Sequence, residues 1–251
     1  MTDAPNTHVA LVTGAGNGLG EVIAGALHAR GIRVGLADID GAAAATAAER
    51  LDPSGQNVMP IALDVRERRG FTDALDRLVS RWGRVQILVN NAAITMAKPV
   101  LDITSEEFDD VMAVNLRGTF QACQVFGTHF RDHGYGRIIN MASVAGQNGG
   151  TATGAHYAAS KAGIIALTKV FARDLGKFGI TVNAVAPGPL DLPMVHRTVS
   201  PEKLSELRQA IPVGDIGDPH FVGRMVAELA SPAAAFVTGA TWDVNGGLFM
   251  R

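Results

Sequence analysis

Short apolar, β-branched runs alternate with helical stretches along nearly the whole chain, and this alternation restricts the fold more than any other feature. The seven runs are His8–Thr13, Arg33–Ala37, Val58–Leu63, Val85–Val89, Arg137–Met141, Thr181–Val185 and Ala240–Val244. The helical patterns are Leu19–Arg30, Ala42–Leu51, Arg66–Trp82, Ser105–Phe130, Ala155–Phe178 and Pro219–Ala230. Strands that alternate with helices form βαβ units, which build a parallel sheet covered on both faces. The chain is therefore predicted to be an α/β protein.

No linker or shift in composition interrupts this rhythm, so residues 1–251 are predicted to form a single domain. Right-handed crossovers favour a Rossmann-like, doubly wound sheet of seven strands. A (β/α)₈ barrel is the alternative, which the seven runs and a glycine-rich first loop disfavour. The proline-rich segment Pro187–Gly217 departs from the rhythm and is expected to contain short helices near Asp191–Thr198 and Pro201–Ala210. We interpret residues 188–217 as a substrate lid, the alternative being a surface loop without function.

Composition excludes several classes of protein. The 22 basic and 24 acidic side chains give a net charge of −2, without the basic surface that nucleic acid requires. No apolar run approaches the roughly 18 residues of a transmembrane helix, and the first residues lack the basic start of a secretory signal. The single Cys123 can form neither an intrachain disulfide nor a cysteine metal cluster. A soluble cytoplasmic protein without a metal, a nucleic-acid partner or a membrane partner is expected.

The loop after the first run is rich in glycine and opens a helical pattern. It reads Thr13-Gly14-Ala15-Gly16-Asn17-Gly18-Leu19-Gly20, a T-G-x-x-x-G-x-G spacing rather than G-x-G-x-x-G. Glycines let the backbone approach a pyrophosphate, and a helix start supplies unpaired N–H groups. Asp38 ends the second run, where its carboxylate can accept bonds from the adenosine ribose hydroxyls and repel a 2′-phosphate. The pattern predicts NAD as cofactor rather than NADP.

Further candidate residues follow the later strands. Asp64 and Val65 follow the third run, where Asp64 either bonds the adenine amino group or caps a helix. The fourth run ends in Asn90-Asn91-Ala92-Ala93, which allows a tight backbone beside a ligand. Ser143 follows the fifth run and Pro187-Gly188 the sixth. Because the carboxyl ends of parallel strands share one edge of the sheet, these residues are expected to converge there.

Tyr157 and Lys161 are four residues apart on a predicted helix, so they share one face. An ammonium beside a phenol lowers the phenol's pKa from about 10 toward neutrality, which suits a general acid/base near pH 7. Asn115 lies inside the long helical pattern, where asparagine is a poor helix former. Taken alone, Asn115 has no functional meaning.

Together these motifs resemble the short-chain dehydrogenase/reductase family from about His8 to Gly247. The resemblance implies that Tyr157 is the acid/base, that Ser143 holds the substrate oxygen and that Asn115 holds a water leading to Lys161. Lys161 would also bind the nicotinamide ribose and lower the tyrosine's pKa. The implied cofactor-binding residues are Gly14, Asn17, Gly18, Leu19, Gly20, Asp38, Asp64, Val65, Asn91, Ala92, Tyr157, Lys161, Pro187 and Gly188. Family members are commonly tetramers that pair through the helices matching 105–130 and 155–178, so a homotetramer is expected.

The chain departs from the family pattern at three places. Ala93 stands where N-N-A-G has glycine, and Leu192 stands where a threonine often bonds the nicotinamide amide. Ser143 and Tyr157 are 14 residues apart where the family usually has 13, and the extra residue is expected in the loop 146–154.

The expected function is NAD(H)-dependent interconversion of a secondary alcohol and a ketone, both small molecules. The main alternative is a reductase of 3-oxoacyl thioesters of acyl carrier protein or CoA. Such reductases usually prefer NADPH, and Asp38 therefore disfavours this alternative. A rival of another class is a cofactor-binding regulator or scaffold that has lost catalysis. The presence of all four implied catalytic residues, Asn115, Ser143, Tyr157 and Lys161, disfavours it. His196 and Arg197 are interpreted as solvated surface, the alternative being contact with an anionic or polar substrate.

Overall fold

A computed structural model describes residues 8–150, 153–198 and 200–251 of the chain. It contains a sheet whose strands are β1 Val9–Thr13, β2 Arg33–Asp38, β3 Val58–Ala62, β4 Ile87–Asn90, β5 Gly136–Met141, β6 Ile180–Pro187 and β7 Thr241–Val244. The strand order is β3-β2-β1-β4-β5-β6-β7, and each neighbouring pair is parallel. The order reverses between β1 and β4, as the doubly wound prediction requires. Ligands of such sheets bind at the carboxyl edge beside that reversal.

The helices agree closely with the sequence pattern. They are α1 Gly18–His28, α2 Gly41–Leu51, α3 Arg68–Trp82, α4 Ser105–Val111, α5 Gly118–His133, α6 Ala145–Asn148, α7 Ala155–Leu175, α8 Pro193–Thr198, α9 Pro201–Ala210 and α10 Pro219–Leu229. Asp40 caps α2 by accepting from the amides of Ala42 and Ala43. Strand β4 and helix α3 each begin two residues later than predicted.

Helices cover both faces of the sheet because the residues of each buried strand alternate between two cores. In β1, Ala10 and Val12 pack in the core that contains α1, α2 and α10. Val9 and Leu11 pack in the opposite core, with α3, α5 and α7. Side chains of successive strand residues point to opposite faces, so the strand is apolar throughout.

The long helix predicted over 105–130 is not uniform. Thr104 and Glu107 form a capping box at the start of α4, and a π-helical turn at Met112–Arg117 separates α4 from α5. Such turns occur frequently at functional sites, and this one contains Asn115. The prediction of one continuous α-helix is therefore wrong at this turn.

The segment predicted as a lid contains the two expected short helices, α8 and α9. Its two ends pair with each other, because Asp191 donates its amide to the carbonyl of Gly217, and Gly217 donates to Pro189. Leu204, Ile211 and Ile216 form a small separate core within it. A lid function for residues 188–217 and the single-domain reading both stay predictions. Over the ranges described above, helices long and apolar enough to span a membrane are not found.

Candidate active site

A cavity of about 980 Å³ lies at the carboxyl edge of the sheet, beside the reversal between β1 and β4. The predicted site residues that line it are Gly14, Asn17, Gly18, Leu19, Gly20, Asp38, Asp64, Val65, Asn91, Ala92 and Tyr157. The predicted site residues that are not part of this lining are Asn115, Ser143, Lys161, Pro187 and Gly188. The convergence expected from the strand ends is therefore observed for eleven of the candidates.

The glycine loop has a geometry that only glycines allow. Gly14 and Gly18 have φ values of 61° and 58°, in the left-handed region that side chains disfavour. A Cβ atom on Gly20 would overlap the carbonyl oxygen of Gly14. Asn17, at the start of α1, makes no side-chain capping bond, and the residues from Asn17 to Gly20 line the cavity. A helix start in this position, with its dipole and uncapped amides, fits the diphosphate of a dinucleotide.

Backbone amides hold the Asp38 carboxylate in place. Its oxygens accept from the amide of Gly16 at 2.9 Å and from the amide of Asp40 at 3.0 Å. Gly16 permits this approach, since a Cβ there would lie 3.0 Å from Asp38 Oδ2. Ile39 follows at the cavity wall and is 66% exposed, so it adds no charge beside the carboxylate. The arrangement fits the ribose of an adenine nucleotide.

Asp64 is not the cap of helix α3, because that position belongs to Glu67. Its carboxylate instead pairs with Arg66, which donates through Nε and Nη2 over 2.6–3.0 Å. This hydrogen-bonded guanidinium holds the pKa of Asp64 below its usual range. Sequence reasoning gave Arg66 no role, yet Arg66 lines the cavity.

Asn91 ties the glycine loop to the end of β4. Its side-chain amide donates to the carbonyls of Thr13 and Gly14, both at 3.0 Å. The Thr13 hydroxyl accepts from the amides of Asn91 and Ala92 at 3.0 and 3.1 Å. Thr13 thus fixes the shape of the loop, a role that the residue pattern alone did not reveal.

Tyr157 lies beside Ser143, the pairing that acid/base chemistry on a carbonyl needs. Ser143 Oγ accepts from the amide of Ala145 at 3.1 Å. Burial raises the pKa of Tyr157, and the nearby Ser143 hydroxyl opposes that change. This increase in the Tyr157 pKa is opposite to the decrease that an adjacent ammonium predicts.

The position of Lys161 explains this difference. Its Nζ donates to the carbonyl of Met141 at 2.7 Å and lies 5.6 Å from the centre of the Tyr157 ring. The side chain is 2% exposed, and burial lowers the pKa of Lys161 to about 8. Helical spacing placed both residues on one face correctly, but the ammonium contacts a backbone oxygen rather than the phenol.

Asn115 joins the segment after β4 to helix α7. Its side chain accepts from the amide of Ile94 at 2.9 Å and donates to the carbonyl of Ile94 at 3.0 Å. It also donates to Ser160 Oγ at 3.0 Å, and this hydroxyl donates to the carbonyl of Tyr157. Asn115 is fully buried and supports the Tyr157 backbone through Ser160.

Pro187 and Gly188 contact residues next to the site through their backbone. The carbonyl of Pro187 accepts from the amide of Val144, next to Ser143. A Cβ on Gly188 would lie 2.9 Å from Asn245 Cα, which requires a glycine. Leu192 does line the cavity, but its side chain offers no hydrogen bond where the family often has threonine.

Buried polar side chains join helix α7 to strand β5. Asn140 accepts from Asn90 at 2.8 Å and donates to Thr168 Oγ1 at 3.0 Å. Thr168 is seven residues after Lys161, so both residues lie on the face of α7 that packs against β5. Sequence reasoning missed Asn140 and Thr168, since a lone polar residue in an apolar run does not reveal its partner.

Comparison with known proteins agrees with this geometry. Residues 14–249 match the family model described as Enoyl-(Acyl carrier protein) reductase. The chain is 40% identical to a 3-oxoacyl-[acyl-carrier-protein] reductase of Vibrio cholerae, over 96% of this chain and 97% of that protein. It is 39% identical to a (3R)-3-hydroxyacyl-CoA dehydrogenase of Rattus norvegicus, over 96% of each chain. An uncharacterized short-chain type dehydrogenase/reductase of Sinorhizobium fredii is 36% identical, over 96% of this chain and 97% of that protein. The chain belongs to the short-chain dehydrogenase/reductase family of oxidoreductases.

Proposed function

We propose that this protein is an NAD(H)-dependent oxidoreductase that interconverts a secondary alcohol and a ketone. The observation that carries the proposal is the position of Tyr157 on the wall of the cavity that also holds the glycine loop and Asp38, with Ser143 near enough to affect the pKa of Tyr157. A bound nicotinamide would supply hydride transfer. The chain's own residues would then have to orient the substrate oxygen and move one proton.

Each polar residue has a distinct part in the proposed reaction. Ser143 donates a hydrogen bond to the substrate oxygen, and Tyr157 gives that oxygen its proton during reduction or takes it during oxidation. Lys161 keeps a positive charge near the phenol, which favours the phenolate as the proton leaves. Asn115 fixes the backbone of Tyr157 through Ser160. A water held by Asn115 and leading to Lys161 stays part of this proposal.

Asp38 is the basis for proposing NAD rather than NADP. The carboxylate is fixed by two amides and can accept from the ribose hydroxyls, each bond contributing about 1.5–3 kcal/mol. A 2′-phosphate at about 4 Å would meet one like charge at a cost of roughly 4 kcal/mol at an effective dielectric constant near 20. Arg33, at the other end of β2, cannot offset this repulsion.

Steady-state kinetics with both cofactors tests the proposal. We expect kcat/KM with NADH to exceed that with NADPH by roughly ten- to thousandfold. The double substitution Asp38→Ala with Ile39→Arg should narrow or reverse the preference. Glu21→Gln is the matched control, because Glu21 also lines the cavity but pairs with Arg50. Equal values for the two cofactors in the wild type would remove Asp38 from its assigned role.

A second candidate function is the reduction of a 3-oxoacyl thioester or the reverse oxidation. The names of two relatives, a 3-oxoacyl-[acyl-carrier-protein] reductase and a (3R)-3-hydroxyacyl-CoA dehydrogenase, favour it. A 3-hydroxyacyl group is itself a secondary alcohol, so Tyr157 and Ser143 would act in the same way. Turnover of sugar alcohols, cyclic alcohols, hydroxy acids and acyl thioesters, each with both cofactors, distinguishes the candidates.

A further inference from the structure

Arg197 lies on α8 of the predicted lid, and its exposed side chain lines the same cavity as the glycine loop. The expectation that Arg197 is ordinary solvated surface is incomplete, since a cavity wall is where a ligand would contact it. Its neighbour His196 instead forms a hydrogen bond with the carboxylate of Asp191 in the same segment.

The charges around the cavity make Arg197 distinctive. The described lining contains two basic residues, Arg66 and Arg197. Arg66 is paired with Asp64. Of the lining carboxylates, Glu21 pairs with Arg50 and Asp38 with backbone amides, while Asp110 forms no ion pair with the described residues. A guanidinium facing a cavity whose other charges are mostly paired is suited to an anionic ligand.

The glycine loop itself contains no positively charged side chain that could balance the charge of a diphosphate. Its anion site is built from backbone amides and a helix dipole equivalent to about half a positive charge. The loop Gly14–Gly20 contains no basic residue, and Leu192 contributes no donor from the lid. A diphosphate brings two negative charges into this region, so the loop alone leaves much of the charge uncompensated.

We propose that Arg197 is a phosphate-binding residue of the lid, which binds a phosphoryl group of a ligand in the cavity. Two ligands carry this chemistry, the diphosphate of the cofactor and the phosphates of a CoA thioester. The inference rests on the proposed function in supposing that one of these ligands occupies the cavity. Arginine is suited to the task because its planar fork donates two parallel hydrogen bonds to phosphate oxygens.

Binding measurements on the full chain test this role. Dissociation constants of NADH, ADP and adenosine are measured by calorimetry or by competition, and KM is measured for a 3-oxoacyl-CoA. The variants are Arg197→Gln and Arg197→Lys, with Arg208→Gln as the matched control. Arg208 lies on α9 of the same segment and pairs with Asp215, so its substitution removes the same charge outside the cavity.

We expect Arg197→Gln to weaken binding of NADH and ADP about tenfold, with adenosine and Arg208→Gln unchanged. Arg197→Lys should recover part of the loss. If NADH binding is unchanged but KM for the 3-oxoacyl-CoA rises about tenfold, the phosphate comes from the substrate, which also supports the role.

If the dissociation constants and the KM of Arg197→Gln equal those of the wild type for every ligand, the inference is overturned. An equal loss for adenosine would also overturn it, since adenosine has no phosphate. A wild-type protein that does not bind NADH would contradict the proposed function instead, and the CoA thioester would still test Arg197.

Discussion

At the scale of single residues, Lys161 is a buried cation whose only hydrogen-bond acceptor in the described structure is the carbonyl of Met141. Burial without a carboxylate partner lowers its pKa to about 8, and the shift from the usual 10.5 corresponds to a cost of about 3 kcal/mol at neutral pH. The buried ammonium of Lys161 therefore lowers the free energy of unfolding. Such a cost is typical of groups kept for function.

We predict that Lys161→Met abolishes turnover while raising the free energy of unfolding at pH 7 by about 1–3 kcal/mol, allowing for the lost bond to Met141. Between pH 8 and 10.5 the unfolded wild type binds more protons than the folded protein, so wild-type stability from this group rises with pH. The advantage of the variant should therefore shrink over that window. Thermal or urea unfolding across pH measures it, and a variant less stable than the wild type at pH 7 would contradict the prediction.

Tyr157 supplies the second prediction at this scale. Tyr157→Phe keeps the ring and removes only the hydroxyl that would transfer the proton, so kcat should fall by about 10²–10⁴-fold or more. The dissociation constant of NADH should stay near the wild-type value. Tyr135→Phe is the control, because Tyr135 lies before β5, outside the cavity. A near-normal kcat in Tyr157→Phe would show that another group moves the proton.

At the scale of elements, helix α7 is fixed to the sheet at two levels. Lys161 contacts the carbonyl of Met141, and Thr168, two turns later, accepts from Asn140, the residue before Met141. Tyr157 lies on the turn before Lys161. The position of the phenol relative to Ser143 therefore depends on how α7 packs on β5.

Thr168→Val should disturb that packing without changing side-chain shape. It leaves the buried amide of Asn140 without an acceptor, which costs about 1–3 kcal/mol of stability. We also expect kcat to fall by a larger factor than the affinity for NADH, since α7 carries Tyr157 and Lys161 but neither the glycine loop nor Asp38. Thr168→Ser should restore both values. Thr128→Val is the control, because its exposed hydroxyl bonds only to Gln124 of its own helix; equal effects of the two valine variants would refute the assignment.

At the scale of the whole molecule, α5 and α7 leave apolar side chains in water. Phe120 is 39% exposed and packs against Phe171, and Val170 is 43% exposed. Large exposed apolar side chains that are grouped together favour contact between subunits. This face lies on the helices through which the resemblance predicts pairing.

We predict a homotetramer that uses this face. Light scattering at micromolar concentration should give four times the chain mass of 26.2 kDa, and Val170→Glu should lower it. Phe236→Glu is the control, since Phe236 is also exposed but lies near β7, away from α5 and α7. A wild-type mass equal to one chain would rule out the tetramer.

The α/β class, the seven strands and the edge at which the site lies can all be predicted from the sequence. These follow from local rules: β-branched runs are strands, the glycines of T-G-x-x-x-G-x-G demand a tight turn, and the ends of parallel strands share one edge. Asp40 as a helix cap was predictable for the same reason. Each of these inferences uses residues that are neighbours along the chain.

The partners of the functional side chains, in contrast, depend on how the chain folds. Asn115 bonds to Ile94 and Ser160, and Lys161 to Met141, partners that lie some 20 to 45 residues away. Burial, which depends on the packed layers, reversed the predicted direction of the Tyr157 pKa. The same packing placed Arg197 on the cavity wall. The spacing of residues along the chain predicts which side chains share a face of a helix or strand. Which groups that face contacts depends on the folded structure.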